Sequence, residues 1–122
     1  MRRTAAKQMQ ITPRIFGLAL LLASIFSTSG IAESVIVKYR GTVDLAPFKC
    51  DEITRSSFIR RVCYDAANEY MIILLQSTYY HYCEIDRATV KALLEASSMG
   101  QFYNARIKGA SFDCRTHKVP QY

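Results

Sequence analysis

The sequence predicts an α+β fold: a three-stranded antiparallel β-meander with one packed helix, a short C-terminal extended segment and two disulfides. Three observations lead to this fold class. Three β-rich runs follow one another over residues 58–83, a helical pattern with its own cap occupies residues 85–96, and four cysteines lie between residues 50 and 114. No internal repeat or low-complexity segment follows residue 32, so one small domain is expected.

The first 32 residues have the layout of a signal peptide. Four basic residues and no acidic residue precede an apolar run at residues 15–26, which is shorter than the roughly 20 residues that span a membrane. Residues 27–32 follow this run and have small residues at both positions that a signal peptidase reads, so we predict cleavage after Ala32. An uncleaved amino-terminal anchor is the alternative. Cleavage would leave residues 33–122 in the periplasm or outside the cell, without a stable membrane span.

Cleavage also changes the charge of the chain. The formal net charge of +6 falls to +2, because four of the sixteen Lys and Arg are removed while all ten Asp and Glu remain. Single nucleic-acid-binding modules tend to be strongly basic. The charge of the mature chain therefore favours a solvated surface of mixed charge over a nucleic-acid groove.

The front section, residues 33–56, is interpreted as an N-terminal extension of the domain. Residues 34–39 are rich in β-formers and predict a short strand. Gly41 and Pro47 interrupt this pattern, so residues 41–47 are predicted to be a surface connection. Cys50 would tie the section to the rest of the chain.

The three meander strands come next. Residues 58–64 and 70–75 are predicted strands, joined by the turn-forming residues 65–68. Residues 76–78 permit a second reversal, after which residues 79–83 have high β-propensity and predict the third strand.

A helix is predicted over residues 85–96. Asp86 is placed as its N-cap, and Ile85 is placed to contact Val90 across the first turn. Apolar residues from Val90 onward share one face, which should lie on the sheet. Gly100 is suited to end the helix just beyond its last turn.

The last part of the domain is predicted to be extended. Residues 102–108 read as a final strand or extended segment, and the domain is expected to end at residue 112. Residues 113–122 are a C-terminal tail that Cys114 would fasten.

The cysteines are even in number and would meet an oxidising compartment, so two disulfides are predicted. Cys63 and Cys83 lie on the first and third meander strands, about 10 Å apart at a strand spacing of about 4.8 Å. That distance exceeds the Cα separation of about 6.8 Å that a disulfide usually allows. Each is therefore expected to bond to Cys50 or Cys114, which leaves two arrangements. No Cys-x-x-Cys pair occurs, and we predict neither a zinc site nor another cofactor.

One pair of residues offers a catalytic pattern. His81 and Cys83 are two apart in a strand and point to the same side, as a thiol nucleophile and its base would. A disulfide at Cys83 would remove this nucleophile, and disulfide formation is the favoured interpretation. With no catalytic triad, paired-carboxylate or phosphate-loop pattern in the sequence, we expect no enzyme, and a thiol-active protein is the third hypothesis.

Tyr80 and Tyr82 are the candidate binding aromatics, and their orientation depends on strand register. With a two-residue turn before the third strand, Tyr80 would face Ile73, whereas with three loop residues it would face Leu74. One step of register moves both tyrosines between the helix-covered face and the open face of the sheet. The sequence leaves both registers open.

Five stretches together carry a family resemblance. They are Ser57-Phe58-Ile59, Val62-Cys63-Tyr64-Asp65, Tyr80-His81-Tyr82, Leu93-Leu94-Glu95-Ala96-Ser97-Ser98-Met99-Gly100 and Tyr103-Asn104-Ala105-Arg106-Ile107. In order and spacing they resemble the KTSC domain, a family named for its occurrence at the carboxy terminus of some lysyl-tRNA synthetases. The resemblance runs over residues 57–112.

The resemblance implies a small α+β module without known catalysis, for which RNA binding is suggested by its fusion context. It implies that Tyr80 and Tyr82 are the family's central tyrosines and that Asn104 and Ile107 lie in its closing motif. The candidate binding residues are Tyr80, Tyr82, Asn104, Arg106 and Lys108.

The first hypothesis for function is non-enzymatic binding of a protein or small-molecule partner by an exported module. The alternative is RNA binding through the two tyrosines and nearby cations, although an exported protein does not ordinarily meet tRNA. The cations available to RNA are Arg55, Arg60, Arg61, Arg106 and Lys108.

Overall fold

The computed structural model describes residues 32–122, which form a six-stranded mixed sheet and two helices. The strands are β1 (Ser34–Val37), β2 (Gly41–Asp44), β3 (Lys49–Glu52), β4 (Ile59–Asp65), β5 (Tyr70–Leu75) and β6 (Thr78–Tyr82). The helices are α1 (Arg87–Glu95) and α2 (Met99–Phe102), which continues into a π-helical turn, Tyr103–Ile107. Residues 1–31, on which the signal-peptide prediction depends, lie outside the described residues.

The strand order across the sheet is β2-β1-β6-β5-β4-β3. Strands β4, β5 and β6 form the antiparallel meander that the sequence predicts. β3 pairs antiparallel with β4, and β2 pairs antiparallel with β1. β1 joins the meander by running parallel to β6, and the two strands pair at Val37 and Tyr79. The front section thus adds strands to both edges of the meander.

The predicted fold class is wrong in the number of its elements, because the sheet has six strands rather than three and there are two helices rather than one. Part of the predicted surface connection at residues 41–47 is strand β2. Gly41 begins this strand at φ 97°, the left-handed region, so it makes the β1–β2 turn instead of breaking the pattern. Strands of four residues carry too little periodicity to be recognised beside turn-forming residues.

The extended segment predicted at residues 102–108 is helical instead. Met99, Tyr103 and Ile107 are buried at four-residue spacing, which places them on one helical face toward the core. Ser98 caps α2, since its Oγ accepts a hydrogen bond from the Gln101 N–H at 3.3 Å. The alternation of apolar and polar residues there also fits a strand, and packing against α1 and the sheet decided between the two.

The glycine expected to end the helix has a different role. Helix α1 ends at Glu95, and Gly100 lies within α2. A Cβ atom at Gly100 would lie 2.5 Å from Cε1 of Phe58, so only glycine lets this turn approach the ring. The C-terminal carbonyls of α1 at Leu94 and Ala96 accept hydrogen bonds from Arg55 at 2.5 and 2.6 Å.

The start of α1 is as predicted. Asp86 is its N-cap, and its carboxylate accepts hydrogen bonds from the Thr89 N–H at 3.3 Å and the Thr89 hydroxyl at 2.5 Å. Ile85 and Val90 are both buried in the core beneath the helix. None of the helices within residues 32–122 is long and apolar enough to cross a membrane.

Each face of the sheet carries its own core. The helix-side core consists of Ile59, Val62, Met71, Ile73, Ile85, Val90, Leu93, Met99, Tyr103 and Ile107. The flank-side core consists of Val35, Val37, Val43, Leu45, Cys63, Tyr70, Ile72, Cys83 and Cys114. Strand β5 contributes to both, so it is buried on both faces, whereas the sequence-based fold left one face open.

Two disulfides are present, as predicted. Cys50 bonds to Cys63 with Cα atoms 4.0 Å apart, and Cys83 bonds to Cys114 with Cα atoms 4.9 Å apart. This is one of the two arrangements expected from strand order. Each bond joins a cysteine of the meander region to one in a flanking segment.

Candidate binding site

The register of β6 places Tyr80 and Tyr82 on the helix side of the sheet. A two-residue turn separates β5 from β6, and it pairs Tyr80 with Ile73 and Tyr82 with Met71. Both partners belong to the helix-side core, and both tyrosines pack at its margin half-buried. Of the two registers that the sequence allowed, this is the one in which the tyrosines line the covered face.

Tyr82 is held by a second tyrosine. Its hydroxyl lies 2.5 Å from the hydroxyl of Tyr103, and the two rings meet edge to face with centroids 6.0 Å apart. Burial, and then the bond to Tyr103, raises the pKa of the Tyr82 hydroxyl. Both hydroxyls are therefore protonated at neutral pH. The hydrogen bond between them connects the sheet to the π-helical turn.

Tyr80 is less constrained and contacts a cation. The Lys38 ammonium lies 5.5 Å from the centroid of the Tyr80 ring and 5.1 Å from that of Tyr39. Both distances are within the range of a cation–π contact. The Tyr39 side chain is 88% exposed, and its backbone adopts φ 68°, a conformation that aromatic residues rarely take. Two aromatic rings and one cation thus meet at the β1–β2 turn.

These side chains form part of the wall of a cleft of about 630 Å³, named here the β6 cleft. Its lining residues come from the β1–β2 turn, from β6 and from the segment that leads into the tail. They are Lys38, Tyr39, Tyr80, His81, Tyr82, Gly109, Ala110, Asp113, Cys114 and Arg115. Its volume is in the range of small-molecule and peptide-segment sites.

The far wall of the β6 cleft carries an ion pair. Arg115 and Asp113 lie 2.6 Å apart, and the Arg115 side chain is 88% exposed. Hydrogen bonds from Arg115 lower the pKa of Asp113 to about 2. The carboxylate is therefore charged at neutral pH and offsets Arg115, which leaves Lys38 as the uncompensated charge of the cleft.

His81 faces the other way and is engaged on the flank side. Its Nδ1 lies 2.8 Å from the Tyr70 hydroxyl, and the oxygen of that hydroxyl accepts a hydrogen bond from Arg40 at 3.4 Å. Burial, followed by the charge of Arg40, lowers the pKa of His81, and burial raises the pKa of Tyr70 to about 12. His81 is therefore a neutral, hydrogen-bonded imidazole at neutral pH.

The tail completes this flank-side cluster. Arg40 donates to the carbonyl of Pro120, and its guanidinium lies 5.4 Å from the ring centroid of Tyr122. The Tyr122 hydroxyl donates to Asp65 at 2.6 Å. A second cleft of about 320 Å³, the tail cleft, lies beside this cluster, and both Tyr39 and His81 line it as well as the β6 cleft.

The structure brings together only two of the five predicted binding residues. Tyr80 and Tyr82 line the β6 cleft. Asn104, Arg106 and Lys108 are exposed on the π-helical turn and just after it, and none of them lines the cleft.

The cations proposed to bind RNA differ in their contacts, and some of them are engaged within the fold. Arg55 binds the C-terminal carbonyls of α1. Arg61 binds both carboxylate oxygens of Glu33, at 2.6 and 2.9 Å, and donates to the Tyr79 hydroxyl. Arg60 is exposed. Two of these guanidinium groups therefore hold the fold together instead of facing a ligand.

The thiol pair suggested by the sequence is not formed. Cys83 is bonded to Cys114, and a bonded sulfur cannot act as a nucleophile. Within residues 32–122, no cysteine is free and no group of three or more His, Cys, Asp or Glu is placed to hold a metal ion.

Sequence reasoning missed the four charged or aromatic side chains that line the β6 cleft beside β6, Lys38, Tyr39, Asp113 and Arg115. A signal for Tyr39 was available in the sequence. This residue lies two positions before Gly41, with β-forming residues on both sides, and this pattern fits the tip of a hairpin. No comparable signal exists for Arg115, which the Cys83–Cys114 bond brings beside β6.

Comparison with known proteins gives one family. No curated protein matches the chain. A crystal structure of a KTSC domain protein from Yersinia pestis is 25% identical, covers 51% of this chain and 87% of its own, and has a TM-score of 0.47. A model of the KTSC domain family matches residues 55–112, which include the meander, α1, α2 and the π-helical turn. Residues 55–112 of this chain belong to the KTSC domain family.

Proposed function

We propose that this protein is an exported, non-enzymatic binding module whose ligand occupies the β6 cleft. The observation that carries this proposal is the state of Tyr39. A tyrosine at φ 68° whose side chain is 88% exposed packs into neither core, so its presence in the lining of a cleft is best explained by contact with a ligand.

The surroundings of Tyr39 suit binding rather than catalysis. Tyr80 and Lys38 offer an aromatic face and a cation beside it. The groups with reactive potential are already engaged, since His81 is bonded to Tyr70 and Cys83 to Cys114. An aromatic wall with one uncompensated charge is a common arrangement for recognition.

Two disulfides support the proposal of export, since such bonds persist in oxidising compartments and are rare in the cytosol. If the chain is exported and cleaved as the sequence predicts, the protein recovered from the exported fraction should have the intact mass of residues 33–122 with both disulfides closed. A mass that retains residues 1–32, or any labelling by a thiol reagent before reduction, would contradict this part of the proposal.

The binding proposal is tested with isotope-labelled tyrosine spectra. Exported protein is titrated with size-fractionated extract of the compartment in which it is found, and we expect one fraction to shift the Tyr39 and Tyr80 signals. The variant Tyr39→Asn removes the ring, and asparagine tolerates the left-handed backbone conformation at this position. The variant should therefore fold, but the Tyr80 signal should no longer shift. Ile36→Thr, at a 77% exposed position of β1 outside the cleft, is the matched control and should respond as the wild type does.

Two results would overturn the proposal. One is that no fraction moves the cleft tyrosines, and the other is that the bound compound is chemically converted. A single-stranded RNA is included as a probe for the alternative function, because base stacking on exposed tyrosines would give the same spectral response. RNA binding that survives physiological salt and is lost in Tyr39→Asn would replace the proposed partner with RNA.

A further inference from the structure

Strand β6 has an outer edge that is occupied at both ends and open in the middle. The Tyr79 carbonyl accepts from the Lys38 N–H at 2.9 Å, and the Cys83 N–H donates to the Phe112 carbonyl at 2.8 Å. Both groups point away from β5. Backbone groups of a strand alternate between its two edges, so the N–H and C=O of His81 point to this same outer edge. Within residues 32–122, neither has a backbone partner.

The edge is open at His81 because neither β1 nor the segment before Cys114 extends along β6 as far as this residue. β1 ends at Val37, and the chain turns away through Tyr39 and Gly41, both at positive φ. At the other end, the segment before Cys114 reaches the edge only at Phe112. His81 and Tyr39 line both the β6 cleft and the tail cleft, so the gap is open toward both faces of the sheet.

The gap has the dimensions of a short added strand. Tyr79 and Cys83 are four residues apart, which corresponds to about 13 Å at a rise of about 3.3 Å per residue. Three residues of extended chain fit between the two occupied ends, and one of them would exchange both of its hydrogen bonds with His81. An unpaired strand edge is the usual template for such β-strand addition.

Charge at the gap favours one kind of peptide. Lys38 and Arg115 both line the cleft, and the Asp113 carboxylate offsets the charge of Arg115. Among the described residues, no ion pair engages Lys38. An acidic side chain next to the added strand would reach the Lys38 ammonium without displacing another carboxylate, whereas a basic side chain would be repelled by it.

We propose that the β6 cleft binds a short extended peptide segment with an acidic side chain, which adds to β6 through the backbone N–H and C=O of His81. This inference rests on the proposed function and names the chemistry of its ligand. Main-chain hydrogen bonds set the position of the segment, and contact of the acidic group with Lys38 selects it. Tyr39 covers the segment from the β1–β2 turn.

The probe is the blocked pentapeptide acetyl-Ala-Val-Glu-Val-Ala-amide, added to ¹⁵N-labelled full-length exported protein. We expect the His81 amide signal to shift and its hydrogen exchange to slow. Replacing Glu with Lys in the probe should weaken binding at least about tenfold. A series of probes, each N-methylated at one amide, keeps every side chain but removes one donor at a time, and at least one member should lose binding.

Lys38→Glu should also weaken binding of the acidic probe about tenfold or more, and should bind the Lys-containing probe better than the wild type does. Lys49→Glu makes the same charge change at an exposed position of β3, on the opposite edge of the sheet, and should not change either affinity. The amide spectrum of each variant reports its folding before binding is measured.

Several results would overturn the inference. The acidic probe could bind without moving the His81 amide, or every N-methylated probe could bind equally well. His81 could become protected with rising protein concentration alone, in which case a second copy of the chain occupies the edge. If the probe fails while an extract fraction still shifts Tyr39 and Tyr80, the peptide inference fails and the binding proposal stands. If neither produces a response, both fail.

Discussion

The two faces of the sheet are covered by different parts of the chain. The buried residues of the helix-side core all lie between Ile59 and Ile107, inside the family segment 55–112. The flank-side core takes about half of its members from outside that segment, including Val35, Val43 and Cys114. The KTSC segment thus builds one complete core and exposes a second apolar surface, which the flanking segments cover in this chain.

The disulfides follow the same division. Cys63 and Cys83 lie inside the family segment, whereas their partners Cys50 and Cys114 lie outside it. Each bond therefore fastens one flank to the domain. Short flanking strands contribute little stability by themselves, so covalent attachment is a physically sensible way to keep the second core closed.

Neighbouring residues of β5 test whether the two cores contribute equally. Ile73 lies in the helix-side core and Ile72 in the flank-side core, and both are fully buried. Replacing either with alanine deletes the same atoms from a closed core. We expect Ile73→Ala and Ile72→Ala each to lower the free energy of unfolding by ~2–5 kcal/mol, measured by denaturant titration.

The expectation that the two cores contribute equally is contradicted if the free energies of unfolding of the two variants differ widely. A cost below about 0.5 kcal/mol for Ile72→Ala, beside a full cost for Ile73→Ala, would mean that the flanks cover the second face only loosely. Exposed Ile36→Thr on β1 is the control, and it should change the free energy of unfolding by less than about 0.5 kcal/mol.

Removing one disulfide at a time is expected to have the next largest effect. The double variant Cys83→Ala with Cys114→Ala opens a loop of 31 residues, and Cys50→Ala with Cys63→Ala opens one of 13. Each should lower the free energy of unfolding by ~2–4 kcal/mol, with the longer loop costing slightly more. Denaturant unfolding monitored by tyrosine circular dichroism measures both.

Hydrogen exchange then shows which face opens. In the variant without the Cys83–Cys114 bond, exchange should be faster at the amide of residue 83, which bonds to the Phe112 carbonyl, while amides of α1 stay protected. If α1 loses protection to the same degree, the two faces are one cooperative unit, and their separation into two cores has no energetic meaning.

The smallest expected effect is a pH dependence on the flank side. Burial and the charge of Arg40 lower the pKa of His81 below its usual 6.5, so the unfolded chain takes up this proton more readily than the folded one does. Stability contributed by neutral His81 is therefore lost as pH falls below about 6.5 toward the folded-state pKa. His81→Gln should reduce the loss of unfolding free energy between pH 7 and pH 5.

His117 provides the opposite control. Its ring bonds to the Ser111 carbonyl and lies 3.0 Å from Glu84, and these contacts raise its pKa. Its contribution is present at low pH and is lost as pH rises through that raised pKa. In His117→Gln, the free energy of unfolding should therefore fall more steeply on acidification than in the wild type.

If His81→Gln and the wild type lose the same amount of unfolding free energy between pH 7 and pH 5, the proposed contribution of neutral His81 to stability is contradicted.

Elements that depend on residues close together in sequence were predicted, and elements that depend on long-range packing were not. The meander strands and the Asp86 cap were predicted correctly, because alternation and capping act between residues close in sequence. The short strand predicted over residues 34–39 is confirmed as β1, whereas β2 and β3, of four residues each, were not predicted. The pairing of β1 with β6 is a long-range contact that no local pattern indicates. Residues 102–108 fitted two periodicities, and burial of Tyr103 and Ile107 selected the helical one.

The candidate site was predictable only in part for the same reason. Tyr80 and Tyr82 were identified through a motif of adjacent residues, whereas Lys38 and Arg115 lie about 40 residues before and 35 after them in the sequence. Nothing local joins those positions. Asn104 and Arg106 lie in the stretch 103–107 and Lys108 follows it, but none of the three lines the β6 cleft.

The sequence by itself determined the meander, the capped helix and the even set of cysteines, because each depends on short-range spacing and on chemistry that neighbouring residues share. It also limited the disulfides to two arrangements through strand spacing. Only the tertiary structure decided the face that Tyr80 and Tyr82 occupy, the pairing of the cysteines and the open edge at His81. These depend on where the front strands and the tail pack, and long-range packing has no local pattern from which it could be inferred.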